Sequence, residues 1–270
     1  MSETQNLESV KKAFTLQSKI FDEYEEQNDI LKWMRSVTRE HILHHLKKND
    51  KVLELNAGTG MDAVFLAQNG FKVHAVDISE GMLEKLRLKV EKLNLKDIIS
   101  SELLSFTELD KIQGGPFDYI FSNFGGLNCV SDLRIVTKHF KKVLNQRSKV
   151  TLVIMPPICL WEIALIFRGK LKTATRRLHK EGVIANIEGV KFETSYHSIS
   201  DVVKAMGHDF KLIETQGLAS ISPPPYMINF PKRYPELYRK LTGLDKKLSH
   251  VFPFNRWADH FIVTFGYSPK

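Results

Sequence analysis

Residues 51–60 read Lys51-Val52-Leu53-Glu54-Leu55-Asn56-Ala57-Gly58-Thr59-Gly60. An apolar run holding one carboxylate stops at a turn of small residues, and an amphipathic segment, 61–67, follows. The pattern predicts a strand, a tight loop and the start of a helix. Gly58 and Gly60 admit backbone conformations closed to residues with a Cβ and let a ligand lie against bare peptide, as nucleotide-like groups do in such loops. The spacing Gly58-x-Gly60-x-x-Ala63 also fits the loose dinucleotide fingerprint, so the glycines leave nicotinamide and other adenosine cofactors open. Glu54 helps to separate them, because a carboxylate at the end of a buried strand is costly without a cationic or hydrogen-bonding partner.

Downstream, Phe71-Lys72-Val73-His74-Ala75-Val76-Asp77 predicts a second strand ending in an acid, 17 residues past Gly60, where a carboxylate can take both ribose hydroxyls. Taken in order, V-L-E-L-x-A-G-T-G, V-x-A-V-D-I-S-x-G-M-L and F-D-Y-I-F-S-N-F resemble the class I S-adenosylmethionine-dependent methyltransferase superfamily over roughly residues 50–155. The resemblance implies S-adenosyl-L-methionine as cofactor, with its ammonium group as the partner Glu54 needs. It assigns Glu54, Ala57, Gly58 and Gly60 to the methionine end, Asp77 to the ribose, and Ile78 and Met82 to the adenine face. It adds Leu104 and Ser105 to the cofactor site, and it sets Asn123 and Phe124 opposite the transferable methyl group. Asn56 stands where the family has glycine, so either Asn56 takes the left-handed conformation that asparagine tolerates or the loop is shifted. Ser105 stands where an aspartate commonly holds the adenine amino group.

The remaining chain is read around this core. Strand-like runs at 98–104, 117–123 and 149–155 alternate with helical patterns at 79–93 and 132–143, with Ser79 as the N-cap of the first. Short connections between alternating elements predict an α/β fold, a parallel sheet with helices on both faces, with 210–217 as sixth strand and 260–267 as the last; the resemblance implies that the sheet is Rossmann-like, seven-stranded and mostly parallel, with that last strand antiparallel beside the sixth. Three regions are expected: N-terminal helices over 1–48 forming a lid, a cofactor-binding core over 49–156, and substrate-shaping additions with the last two strands over 157–270. Ala13, Leu16, Ile20, Phe21 and Tyr24 recur at threes and fours as one helical face, with Tyr24 as a candidate to close over the cofactor. A second helix spans 30–46, and its Trp33 and Arg35 either face the site or cap the fold. Beyond Pro157 the pattern predicts a basic amphipathic helix at 160–178, an inserted antiparallel strand at 189–196 and a helix at 200–206. The proline- and aromatic-rich stretch 220–259 is expected over the active site.

With 270 residues, 43% of them hydrophobic and 26% charged, the chain has an ordinary globular composition. Cys129 and Cys159 make neither a disulfide framework nor a spaced metal set, so no metal is expected. No leader pattern opens the chain and no apolar run is long enough for a bilayer, which predicts a cytoplasmic protein. The net charge of +8 concentrates in Arg168, Lys170, Lys172, Arg176, Arg177 and Lys180, with a second group at Lys232, Arg233, Arg239, Lys240, Lys246 and Lys247. These are solvated helix faces, or they attract an anionic substrate, a peripheral membrane surface or nucleic acid.

Methyl transfer gains much of its rate from holding two reactants in line and requires no obvious catalyst. Among the histidines, His197 is the first candidate base and His260 the second. Asp259-His260 invites a pairing, but adjacent residues on a strand point to opposite faces. Trp161, Tyr196, Tyr226 and Trp257 are candidates for an apolar acceptor pocket, or they fill the core. The prolines that mark methylation of nucleobase amino groups are absent after Asn123. The expectation is methyl transfer to a small apolar or anionic acceptor, O-methylation first, with an NAD(P)-dependent oxidoreductase and an RNA-binding or RNA-modifying protein as alternatives. Oligomeric state is left open.

Overall fold

In the computed structural model, which describes residues 1–179 and 182–269, seven strands form one sheet in the order β3-β2-β1-β4-β5-β9-β8. The strands are β1 (Lys51–Leu55), β2 (Lys72–Asp77), β3 (Ile99–Leu103), β4 (Phe117–Ser122), β5 (Leu144–Ile154), β8 (Phe210–Leu218) and β9 (His260–Tyr267), while β6 (Val183–Ile187) and β7 (Val190–Thr194) make a separate hairpin. β1 through β5 pair in parallel, and β9 runs antiparallel to both β5 and β8. The order reverses between β1 and β4, leaving a crevice beyond their carboxyl ends.

Both faces are covered, so alternate residues of a strand go to opposite cores. Leu53, Leu55, Ile120 and Leu152 pack in one apolar cluster with Phe140, Val202 and Met206. Val52, Tyr119, Phe121 and Val153 pack in the other against α3 (Asp29–His45), α4 (Met61–Gln68) and α5 (Glu80–Lys92). Ser79 caps α5, its hydroxyl accepting from Met82 N at 3.2 Å. Gly60 begins α4 in the left-handed region, and a Cβ there would fall 2.6 Å from Leu86 Cγ. Its role is the close approach of α4 and α5.

Several elements differ from the sequence pattern. The single N-terminal face is interrupted: α1 (Glu3–Gln17) ends at a turn before α2 (Phe21–Gln27), and Leu16, Ile20 and Tyr24 are more than a third exposed. What α1 buries instead is Val10 and Ala13, against Cys129 and Phe192 of the hairpin. Asn6 ties the same contact, donating to Cys129 O at 2.9 Å and Glu193 O at 3.0 Å and accepting from Glu193 N at 2.7 Å. The 132–143 segment is two short turns, Arg134–Thr137 and Phe140–Val143.

The stretch 160–178 is no continuous amphipathic helix. It breaks at Gly169, which is left-handed, and its basic residues divide: Arg177 is buried, whereas Arg168, Lys170 and Lys172 are exposed, as is Phe167 at 93%. Lys180 lies outside the described residues. The 220–259 stretch carries the helix Pro235–Leu248, which sits beside α3, with Lys246 paired to Glu40 at 3.1 Å and Tyr238 in the cluster below. Of this stretch, Pro225 reaches the crevice. Among the described residues, no helix is long and apolar enough to cross a membrane.

Candidate functional site

A cavity of about 320 Å³ opens at the carboxyl ends of β1, β2 and β4. The turn after β1 forms its floor. Asn56 takes the left-handed conformation at φ 46°, and its side chain joins β1 to β4, accepting from Ser122 Oγ at 2.6 Å and donating to Asn123 O at 2.9 Å. Gly126 makes room for it, since a Cβ there would fall 2.3 Å from Asn56 Cγ. Gly58 is also left-handed; a Cβ on it would meet nothing within 4 Å, and its N–H donates to Asp77 Oδ2 at 2.8 Å. Asp77 Oδ1 accepts from Ser79 N at 2.8 Å.

The floor is rich in acids. Glu54 is 3% exposed, and its Oε2 has no hydrogen-bond partner among the described residues. Burial, and then the charge of Asp62, push its carboxyl well above the usual range, against the pull of Arg35 and Arg39. Burial likewise lifts Asp77 to about 6, although the N–H groups of Ser79, Gly58 and Ile78 favour its anion. For Asp62, burial also acts upward, but Arg35 and Arg39 win and hold it low. Arg35 bridges Glu25 at 2.9 Å and Asp62, and its guanidinium lies 4.6 Å from the centre of the Phe124 ring. Asp62 also takes Arg39 Nε at 2.8 Å and Asn123 Nδ2 at 2.8 Å. This network fixes α3, α4 and the end of β4 to one another.

Apolar residues make up much of the remaining wall, among them Phe14, Phe124, Cys129, Met155, Ile187 and Pro225, and His260 lines it too. The Cys129 thiol is pushed up to about 12, by burial first, and is inert. His260 meets Phe124 edge-on at 6.0 Å and directs Nδ1 to Asp259 Oδ2 at 2.9 Å. The pairing that strand alternation argued against therefore exists: Asp259 precedes the first residue of β9, where alternation has not begun. Behind it, Arg177 donates to Asp259 Oδ1 at 2.7 Å and to Glu162 Oε1 at 2.8 Å, and Arg176 grips Glu162 at 2.7 and 2.8 Å. Burial opposes it, but His260 and Arg177 hold Asp259 far below the usual carboxylate range. Cys159, Glu162 and Asp259 converge here, and the two arginines supply the positive charge among them.

Tyr24, Glu54, Asn56, Ala57, Gly58, Asp77, Ile78, Met82, Asn123 and Phe124 all line the cavity. Gly60, Leu104 and Ser105 do not. Leu104 packs against the core below, and Ser105 turns its hydroxyl to Thr107 N at 3.2 Å to cap a short 3-10 helix, which brings Phe106 to the wall instead.

None of Trp161, Tyr196, Tyr226 and Trp257 is on the wall. Trp161 donates to Ile221 O at 3.1 Å, Tyr196 lies under Arg177 at 5.2 Å, Tyr226 is half exposed, and Trp257 packs on Phe252 at 5.5 Å. His197 also lies elsewhere, in a depression with Asp132 and Asp201; its Nε2 bonds Val130 O at 3.0 Å. Sequence reasoning ranked it above His260, which the wall contains. Among the residues it missed, Val10 and Phe14 come from α1, Phe21 from α2, Ile187 from the hairpin and Cys129 from the turn after β4, where position relative to the sheet carries no local signal.

The family described as "Methyltransferase domain" matches residues 52–147. Demethylmenaquinone methyltransferase of Leptospira interrogans is 30% identical over 122 residues, 43% of this chain and 48% of that protein. The chain thus spans about half the length of such relatives. The S-adenosyl-L-methionine-dependent Diels-Alderase iccD of Talaromyces variabilis is 25% identical over 83% of the chain and 76% of its own length. Among solved structures, magnesium protoporphyrin IX methyltransferase of Synechocystis PCC 6803 with bound S-adenosylhomocysteine superposes with a TM-score of 0.56 at 15% identity, covering 96% of this chain and 98% of that one. The CcbJ methyltransferase of Streptomyces caelestis gives 0.57 at 15% identity, with 86% and 89% covered. At this identity the structures share the fold.

Proposed function

We propose that the chain, whose residues 52–147 match a methyltransferase domain, is a class I S-adenosylmethionine-dependent methyltransferase that transfers a methyl group to a small apolar acceptor, with O-methylation first. The observation that carries this reading is Glu54, a buried carboxylate whose Oε2 finds no protein partner on the cavity floor. Such a group calls for a cationic ligand, and the ammonium of S-adenosyl-L-methionine is one. Asp77 suits the ribose hydroxyls, and Ile78, Met82 and Phe106 offer an apolar slot for adenine. When bound, the cofactor supplies an electrophilic methyl group on a sulfonium.

The protein's part is to exclude water and to set the acceptor in line. In this reading residues 1–48 close the cavity as a lid, 49–156 hold the cofactor and 157–270 shape the acceptor end. The apolar wall of Phe14, Met155, Ile187 and Pro225 supports an apolar acceptor, as does the likeness to demethylmenaquinone methyltransferases. The relative aligned over most of the chain is named for a different reaction with the same cofactor, so cofactor binding and methyl transfer are tested separately.

Titration calorimetry with S-adenosylhomocysteine tests the cofactor. Micromolar binding that Glu54→Gln weakens at least tenfold is expected, and NADPH should give no heat. Binding of NADPH instead would return the oxidoreductase alternative. Loss of Arg176 and Arg177 into the Glu162 network leaves Arg168, Lys170 and Lys172 beside the exposed Phe167, an arrangement that favours a peripheral anionic membrane surface over nucleic acid. Sedimentation with phosphatidylglycerol vesicles should retain the parent and lose Phe167→Ser; equal retention of both would end this part of the reading.

A further inference from the structure

We propose that His260 is the general base of this site and that the acceptor presents to it a hydroxyl on an apolar ring, aromatic or enolic. The inference rests on the methyltransferase reading and deepens it.

Three observations lead to it. First, orientation: Nδ1 of His260 is held by Asp259 at 2.9 Å, and a carboxylate can only accept, so Nδ1 carries a proton and Nε2 is the nitrogen left to exchange one with a ligand. No described residue bonds Nε2, and the ring lines the cavity. Second, rigidity: Asp259 is fixed from behind by Arg177 through both its side chain and its carbonyl oxygen, at 2.7 and 2.8 Å, and Arg177 is fixed in turn by Glu162. A base oriented by a carboxylate that is itself anchored is the arrangement that activates hydroxyl nucleophiles. Third, elimination: of the other ionisable groups on the wall, Glu25 and Asp62 are tied to Arg35, Glu54 and Asp77 belong to the cofactor floor, Cys129 stays protonated, and Tyr24 is exposed on α2.

The same geometry selects the acceptor class. His260 meets the Phe124 ring edge-on, and Met155 and Pro225 line the same cavity, whose Glu25 and Asp62 are paired with Arg35. The charge on Asp259 is balanced by Arg177. A neutral acceptor with one acidic hydroxyl fits where a cationic amine does not. In the step, the hydroxyl proton passes to Nε2 as the oxygen bonds to the methyl carbon of the sulfonium donor. The carbon–sulfur bond breaks, its electron pair stays on sulfur, and the imidazolium is stabilised by Asp259 until it returns the proton to water. The charged and titratable groups packed around the pair are Arg176, Arg177, Glu162, Cys159 and Tyr196, with Arg35 behind Phe124.

The test uses the full chain with phenol, 2-naphthol and 1,4-naphthalenediol as probes. Calorimetry with S-adenosylhomocysteine is run on the parent, His260→Gln and Asp259→Asn, and methyl ether formation is followed from pH 5.5 to 9.5. Absorbance of 2-naphthol bound to the S-adenosylhomocysteine complex reports the anion without turnover. Expected are unchanged S-adenosylhomocysteine affinity in all three, a parent rate that rises with pH and levels off, and at least a hundredfold loss in His260→Gln. That variant's rate should climb about tenfold per pH unit with no plateau below the probe's own pKa, and its bound 2-naphthol should lose the anion band. Asp259→Asn should move the inflection to lower pH, because the anion favouring imidazolium is gone.

If His260→Gln binds S-adenosylhomocysteine and keeps the parent's inflection within threefold of its rate, His260 is not the base, and the methyltransferase reading stands. If the parent binds S-adenosylhomocysteine but forms no methyl ether from any probe at any pH, the hydroxyl class is wrong. If the parent binds no S-adenosylhomocysteine, both readings fall together.

Discussion

Two parts of the cavity wall are built differently. The floor takes Glu54 and Asp77 from the ends of β1 and β2 and Asn56 and Gly58 from the turn after β1, so its chemistry is local and sits at the switch point of the sheet. The part around His260 joins Asp259 and His260 to Arg177, 82 residues earlier, and Glu162 before that. In the proposed function the local elements hold the cofactor and the long-range packing shapes the acceptor end. The difference predicts that damage at the acceptor end appears first as lost stability, and damage at the floor as lost affinity.

The sharpest test of that contrast is Arg177→Met. Arg177 is 4% exposed and faces two carboxylates, so removing it leaves Asp259 buried without its guanidinium and Glu162 with Arg176 alone. A loss of about 3–5 kcal/mol is expected in urea unfolding. Arg176→Met, at a side chain 39% exposed, should cost far less. Equal and small losses would mean that the basic segment is a solvated face after all.

At the floor the corresponding change is Asp77→Ala. In the proposed function it removes the carboxylate that holds the ribose, and about 3 kcal/mol of charge-assisted hydrogen bonding corresponds to roughly a hundredfold weaker S-adenosylhomocysteine binding. Because Asp77 sits at about 6, binding that uses its anion should also weaken by up to tenfold per pH unit below that point. Affinity that is flat from pH 7.5 to 5 would remove Asp77 from the contact.

How far the sequence could be read follows the same division. The seven strands and most of the floor were legible because period, glycines and strand-end acids act within a few residues, and the antiparallel β9 followed from the family resemblance. Asn56 at a glycine position was read as one of two alternatives, and the structure selects the left-handed one because Ser122, Asn123 and Gly126 accommodate its side chain. Ser105 misled because its hydroxyl serves the backbone as a cap. The aromatics Trp161, Tyr196, Tyr226 and Trp257 misled because a large ring satisfies packing as readily as it lines a pocket. Strand alternation was applied to Asp259 one residue before the strand begins. The basic run 168–178 concealed that Arg177 points inward, since only tertiary contact with Asp259 distinguishes it from Lys170.

A smaller effect examines whether the floor tolerates its own departure from the family. Gly126→Ala should cost about 1–3 kcal/mol, because its Cβ would meet Asn56 Cγ at 2.3 Å. Adding Asn56→Gly should restore part of the loss, and a double-mutant cycle measures the coupling. Strict additivity would separate the two positions.

The smallest effect sets the floor against the back of the sheet. His41, on α3, bonds Gln216 Oε1 and Thr264 Oγ1 at 2.8 Å each, near Glu214, His45 and His250. Burial first, and then the neighbouring imidazoles, push it down to about 4, against the pull of Gln216 and Glu214. The unfolded chain titrates this imidazole near 6.5, so between pH 6.5 and 4 it binds a proton that the folded chain does not. Stability therefore falls as pH drops through that window, by on the order of 2 kcal/mol. Asp77 acts with the opposite sign: raised to about 6, it takes up its proton in the folded state first and adds stability over pH 6 to 4. In the ligand-free protein the two largely offset each other. Asp77→Asn removes the second and should reveal a steeper acid loss, which His41→Gln then flattens. If urea midpoints for Asp77→Asn and the parent fall in parallel from pH 6.5 to 4, the acid at the floor is not the group that masks the histidine.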